Sequence, residues 1–135
     1  PSLAVARGYG RILAYPYFAE TMGTINAGLL ATRTTIANHP DRVQALVTAH
    51  ARATESLIRD RDRWLGRAAD FGTPRPVLEQ AVANMELTWR MDDTFVRQLK
   101  ALGERMQRLG LIDRQPDYNQ LVDRRFVDHA SEQLR

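Results

Sequence analysis

The side chains best suited to chemistry in this 135-residue chain are three histidines and one pair of adjacent aspartates. His39, His50 and His129 are far apart in the sequence, and their spacing matches no recognised metal-binding pattern. Cysteine is absent, which excludes thiolate metal sites, disulfides and a cysteine nucleophile. The sequence therefore predicts no metal site and no cofactor.

Asp92 and Asp93 could be interpreted as a carboxylate pair for general acid and base catalysis. Adjacent residues on a helix do not face the same point, however, and acidic residues stabilise the first turn of a helix. We interpret the pair as the start of a helix. Because the chain shows no nucleophile, metal site or acid–base group in a catalytic pattern, we do not expect it to be an enzyme.

A short polar segment, Gly23-Thr24-Ile25-Asn26, precedes a mostly apolar stretch. Polar groups at the ends of strands are where open α/β folds bind ligands, so this segment is a candidate ligand contact. A plain turn leading into a strand explains the same residues. The glycines near it do not complete any phosphate-binding fingerprint.

Residues 11–15 and 25–32 are predicted to form two short strands, the first ending at Pro16. The second is apolar on both faces, which is typical of a strand covered on both sides in an α/β sheet. An isolated pair of strands is only marginally stable. We therefore expect their partner strands to come from additional chain or from a second copy.

From residue 33 onward, apolar residues recur at three- and four-residue steps, which predicts helices. The clearest covers residues 39–58, with His39 as the cap and Pro40 preset for the first helical position. Its apolar stripe is predicted to face the core, so a charge at Leu46 should abolish folding. The stripe comprises Val43, Leu46, Val47, His50, Thr54, Leu57 and Ile58.

The remaining helices are predicted to begin at Asp60, Thr73, Asp92 and Asp123, and Gly103 inside one of them indicates close packing. Residues 85–91 alternate between apolar and polar, which predicts an extended segment. The expected fold class is α/β but helix-dominated, with one or two short strands followed by about five helices. Residues 1–135 form a single segment, in which 1–32 contains the strands and 33–135 is helical.

The chain carries a formal net charge of +3, with a pI near 9.8, which invites a nucleic-acid interpretation. Its arginines alternate with acidic residues, as in Arg59-Asp60-Arg61-Asp62-Arg63, so the local field largely cancels. We expect a solvated surface and no nucleic-acid partner. Neither a membrane-spanning run nor a leader segment is recognisable in the sequence.

Several segments together resemble the C-terminal portion of the periplasmic solute-binding proteins of ABC importers, of the nitrate, sulfonate and taurine type. In the first half they are Gly8-Tyr9-Gly10-Arg11-Ile12-Leu13, Tyr15-Pro16, Asn26-Ala27-Gly28-Leu29-Leu30-Ala31-Thr32, Ile36-Ala37-Asn38-His39-Pro40-Asp41, Val43-Gln44-Ala45-Leu46-Val47 and Ala49-His50-Ala51-Arg52-Ala53-Thr54. In the second half they are Leu109-Gly110-Leu111-Ile112, Pro116-Asp117-Tyr118 and Val122-Asp123-Arg124-Arg125-Phe126-Val127.

The resemblance implies a two-lobed binding protein (type II-like) of which this chain is a C-terminal fragment. By the resemblance, Thr24 and Asn26 lie nearest the ligand cleft. It also implies a periplasmic or extracytoplasmic location and three partners: a small anionic or organic solute, a membrane-embedded ABC permease, and either the missing N-terminal lobe or a second copy of the chain. The alternative is a stand-alone helical interaction module, or a dimer whose apolar stripes form a shared core.

Overall fold

The computed structural model describes residues 1–14, 25 and 27–135. These residues are 62% helical and contain no strand and no sheet. The expected α/β class is therefore wrong for the described chain: residues 11–14 and 27–32, which were predicted as strand, have no regular structure. A strand needs a neighbour for its backbone hydrogen bonds, and no described segment provides one.

Helices form almost everywhere that the apolar spacing predicts them. Within the described residues they are α1 (Ser2–Ala6), α2 (Arg33–Asn38), α3 (Pro40–Arg59), α4 (Arg61–Ala69), α5 (Arg75–Val82), α6 (Asp93–Arg108), α7 (Tyr118–Leu121) and α8 (Arg125–Gln133). From residue 33 onward the chain contains seven described helices, where about five were expected.

Side-chain caps begin several of these helices. The side-chain oxygens of Thr32, Asp60 and Asp92 each accept a hydrogen bond from the backbone N–H three residues later, at 3.0, 2.9 and 2.9 Å. Pro40 occupies the first position of α3 and His39 precedes it, as predicted. The predicted starts at Pro40, Asp60 and Asp92 are confirmed, because capping depends only on residues that are close in sequence.

Two predicted starts are displaced. The helix expected from Thr73 begins at Arg75, after Pro74, and has no side-chain cap. The last helix, expected from Asp123, begins at Arg125. Three apolar residues of this helix, Phe126, Val127 and Ala130, are buried.

Glycines end three helices. Gly8, Gly72 and Gly110 follow α1, α4 and α6 with φ angles of 70°, 96° and 71°. This left-handed conformation is strained for any residue that carries a Cβ atom, which is why glycine is common just after helices. Each of these glycines therefore marks the C-terminal end of its helix.

The described chain divides into two compact units. One unit comprises residues 1–14 and Ala53–Thr88, and in it α1 and α4 both pack against α5. Leu65 of α4 and Val77 of α5 are its buried apolar side chains. On its surface the Arg75 guanidinium donates to the carboxylates of Asp62 and Glu79, but exposed ion pairs of this kind contribute little to stability.

The other unit comprises residues 25 and 27–52 with Trp89–Arg135. Its core is formed by one alanine of α3, a tryptophan from the extended segment and two residues of α8. These are Ala51, Trp89, Val127 and Ala130, with Val47, Met91 and Leu134 packed against them. Trp89 is the largest side chain in this core, and it comes from the segment that was predicted to be extended.

The alternation predicted for residues 85–91 is confirmed from residue 86 onward. Leu87, Trp89 and Met91 are buried or half-buried, whereas the polar residues between them are exposed. Met85 is an exception, because it is exposed. The segment forms no helix and no ladder, so burial of alternate side chains determines its extended path.

The buried face of α3 matches the predicted stripe only in part, since Thr54 is buried and Val43 is half-buried. Ala51 is 0% exposed and Val47 is half-buried, but Leu46 is 57% exposed. Leu57 and Ile58, two further members of the predicted stripe, are 37% and 50% exposed. The expectation that Leu46 lies in the core is therefore wrong, because the helix turns its Ala51 side toward the core residues of α8.

Gly103 is buried in α6, and the close packing predicted there is confirmed. A Cβ atom at this position would overlap the Tyr118 hydroxyl and lie 2.7 Å from Oε1 of Gln115. The Tyr118 hydroxyl donates to Gln115 Oε1 at 2.6 Å, and Gln115 donates to Gln107 Oε1 at 3.0 Å. Gln107 in turn donates to the backbone carbonyl of Asp113 at 3.1 Å, so these bonds hold the segment after α6 against that helix.

Candidate functional site

Thr24 and Asn26, the two residues predicted to lie nearest a ligand, are outside the residues that the structure describes. Of the described residues beside them, Ile25 is half-buried, whereas Ala27 and Gly28 are exposed. The placement of a ligand contact at Thr24 and Asn26 therefore stays a prediction.

The histidines lie in three different settings. The backbone carbonyl of His39 accepts from the amides of Arg42 and Val43, at 3.1 and 3.3 Å. Nε2 of His129 lies 3.0 Å from Nε2 of Gln133, so the ring nitrogen accepts when it is unprotonated. His50 is exposed on α3. Among the described residues, no three histidine or carboxylate side chains are grouped so that they could hold a metal ion.

The two adjacent aspartates make separate contacts. Oδ1 of Asp92 accepts from the backbone N–H of Phe95 at 2.9 Å, while Oδ1 of Asp93 accepts from Arg124 Nη1 at 2.8 Å. The first contact caps α6, and the second joins the start of α6 to the residue before α8. The interpretation of the pair as a helix start is confirmed.

A second ion pair lies at the beginning of α8. Arg125 donates to both carboxylate oxygens of Asp123, at 2.9 and 2.6 Å. These hydrogen bonds lower the pKa of Asp123, although partial burial of the carboxylate opposes the effect. The carboxylate therefore stays ionised to lower pH than an exposed aspartate would.

A polar ladder joins α3 to α8, and the sequence did not predict it. The Gln44 amide donates to Thr48 Oγ1 at 3.1 Å and to the backbone carbonyl of Phe126 at 3.0 Å. The Thr48 hydroxyl donates to Gln133 Oε1 at 3.4 Å, a long contact. The four-residue spacing of Gln44 and Thr48 on a helix predicts that these two side chains are neighbours. It does not predict their partners on α8, which are more than 80 residues away in the sequence.

Tyr118 is the phenol with the most altered environment among the described residues. Burial raises its pKa, and the negative charge of Glu104 raises it further. Lys100 lies above its ring, with the ammonium nitrogen 5.9 Å from the ring centre. The hydroxyl donates to Gln115, so this environment holds the start of α7 in place.

The long helix exposes apolar side chains that a core normally covers. We call Leu46, Leu57 and Ile58 the apolar strip of α3. Leu46 lies in the part of α3 that belongs to one compact unit, and Leu57 and Ile58 lie in the part that belongs to the other. Their chemistry suits contact with another apolar surface and offers no group for catalysis.

The search for known relatives identified no protein family, no curated protein and no solved structure that matches the chain. The resemblance to ABC-importer binding proteins therefore stays a prediction, as do the solute, the permease and the periplasmic location. In the described residues, no helix is long and apolar enough to cross a membrane.

Proposed function

We propose that this chain is the helical C-terminal part of a solute-binding protein that delivers a small anion or organic solute, of the nitrate, sulfonate or taurine kind, to an ABC permease. The family part of the proposal is supported by the resembling segments, which extend from residue 8 to residue 127. Several coincide with helix boundaries: 36–41 spans the junction of α2 and α3, 109–112 contains the glycine after α6, and 122–127 enters α8.

The structural observation that carries the proposal is the apolar strip of α3. Full burial of one leucine or isoleucine side chain contributes about 1.5–3 kcal/mol, and these three are only 57%, 37% and 50% exposed, so covering them would add a part of that amount for each. A helix carries apolar residues on its outer side when that side packs against another part of the protein or against a second copy. In the proposed protein that chain is the N-terminal lobe or a second copy.

Solute binding in the proposed protein needs no chemistry on the solute. The solute is held in a cleft between two lobes, and closure is driven by its higher affinity for the closed state. In this proposal Thr24 and Asn26 contribute polar contacts near the cleft, and the helices support the lobe. The protein is periplasmic or extracytoplasmic, and the permease is its membrane partner.

The proposal is tested on the complete gene product that contains this chain. A thermal-shift panel of nitrate, alkyl sulfonates including taurine, bicarbonate and thiamine-precursor pyrimidines should reveal one solute that raises the melting temperature. A solute at 100 times its Kd stabilises the folded state by about 2.7 kcal/mol, which is readily measured. If no member of the panel raises the melting temperature at millimolar concentration, solute binding of these kinds is contradicted.

A matched pair of variants then tests the predicted contacts. Thr24→Val in the same protein should weaken the shift caused by the solute, because the hydroxyl is lost while the size of the side chain is kept. Thr34→Val changes an exposed threonine of α2 in the same way and should leave the shift unchanged. If the solute raises the melting temperature of both variants equally, Thr24 does not contact the solute.

The absence of strands from the described residues favours a second candidate function, a stand-alone helical interaction module or dimer. Such a module would be compact without any further chain and would not respond to small anions. An in-frame region upstream of this sequence that encodes another lobe and a signal peptide supports the binding protein. A start codon at this boundary, with no such region, supports the module.

A further inference from the structure

We draw no further inference here: the strongest candidate, the apolar strip formed by Leu46, Leu57 and Ile58 on α3, already belongs to the proposed function, and nothing in the described part of the structure shows which molecule covers it.

Discussion

Gly103 shows how one missing Cβ atom can determine local packing. Alanine is favoured over glycine by about 1 kcal/mol inside a helix, so Gly103→Ala would stabilise α6 if propensity decided the outcome. Here the added Cβ atom meets the Tyr118 hydroxyl and Gln115, which already hold each other. We expect Gly103→Ala to lower the free energy of unfolding by about 1–3 kcal/mol, measured by urea denaturation.

Gly66 provides the matched control for this prediction. It also lies inside a helix, but a Cβ atom there would meet nothing within 4 Å. Gly66→Ala should therefore be neutral or stabilising by up to about 1 kcal/mol. The packing of Tyr118 on α6 is refuted if the two alanine variants have the same stability.

Asp123 allows a pH-dependent prediction at the same scale. Its pKa is lowered in the folded state, so its contribution to stability is present above the unfolded pKa of about 3.9 and is lost as the pH falls through the folded value. Arg125→Gln removes the guanidinium hydrogen bonds, which are the largest cause of the shift, together with the positive charge, and it keeps the hydrogen bond from the backbone N–H of residue 125. The pKa of Asp123 should then rise, which a ¹³C NMR titration of its carboxyl carbon would measure.

An arginine outside this ion pair controls for the loss of positive charge. Arg114 is exposed, and Arg114→Gln should leave the titration of Asp123 unchanged. A similar rise in both variants would mean that the net charge of the protein, rather than the direct contact with Arg125, determines the pKa.

At the scale of a helix, two substitutions in α3 test which of its faces packs into the core. Leu46→Asp was expected to abolish folding, but the exposure of Leu46 now predicts a change within about 1 kcal/mol in this 135-residue chain. Ala51→Asp places a carboxylate at a position that is 0% exposed, in the core with Trp89. We expect a loss of about 3 kcal/mol or more, because the charge would be buried without a partner.

Both variants replace an apolar residue of α3 with aspartate, so differences in helix propensity largely cancel between them. Circular dichroism during urea denaturation would measure both free energies of unfolding. Greater damage from Leu46→Asp than from Ala51→Asp would show that the original prediction of the buried face was correct.

At the scale of the whole molecule, the proposed function predicts a different result for Leu46→Asp. In the complete gene product the apolar strip is covered, so the variant should lower the melting temperature strongly while remaining tolerated in the 135-residue chain. Ala45→Asp changes an exposed neighbour outside the strip and should be tolerated in both. Equal effects of the two variants in the complete protein would contradict the proposed cover.

The cover could be a second copy of the chain, and light scattering distinguishes this case. If the complete gene product dimerises, its measured mass rises with concentration, and the Leu46→Asp variant has a lower mass than the unchanged protein. If a lobe of the same chain covers the strip, the mass stays that of a monomer at every concentration. The first result identifies a second copy as the cover, and the second identifies a lobe of the same chain.

The sequence by itself determined most helix boundaries and the close packing at Gly103. A cap such as Asp92 bonds a backbone amide three residues away, and a glycine such as Gly110 adopts its left-handed conformation through its own lack of a Cβ atom. The alternation around Trp89 was likewise readable, because the two-residue repeat of an extended chain is local. For the candidate site, the sequence alone supplies Thr24 and Asn26, which the described structure does not reach.

Only the tertiary structure decided the fold class and the buried face of α3. The apolar pattern of residues 27–32 suits a strand, but a strand forms only where another backbone pairs with it, and no described segment does so. Leu46 belongs to the predicted stripe of α3, whereas Ala51 lies beside it, four residues after Val47. Contact with Val127 and Ala130 of α8, together with the bond from Gln44 to Phe126, selects the Ala51 side because those partners are distant in sequence.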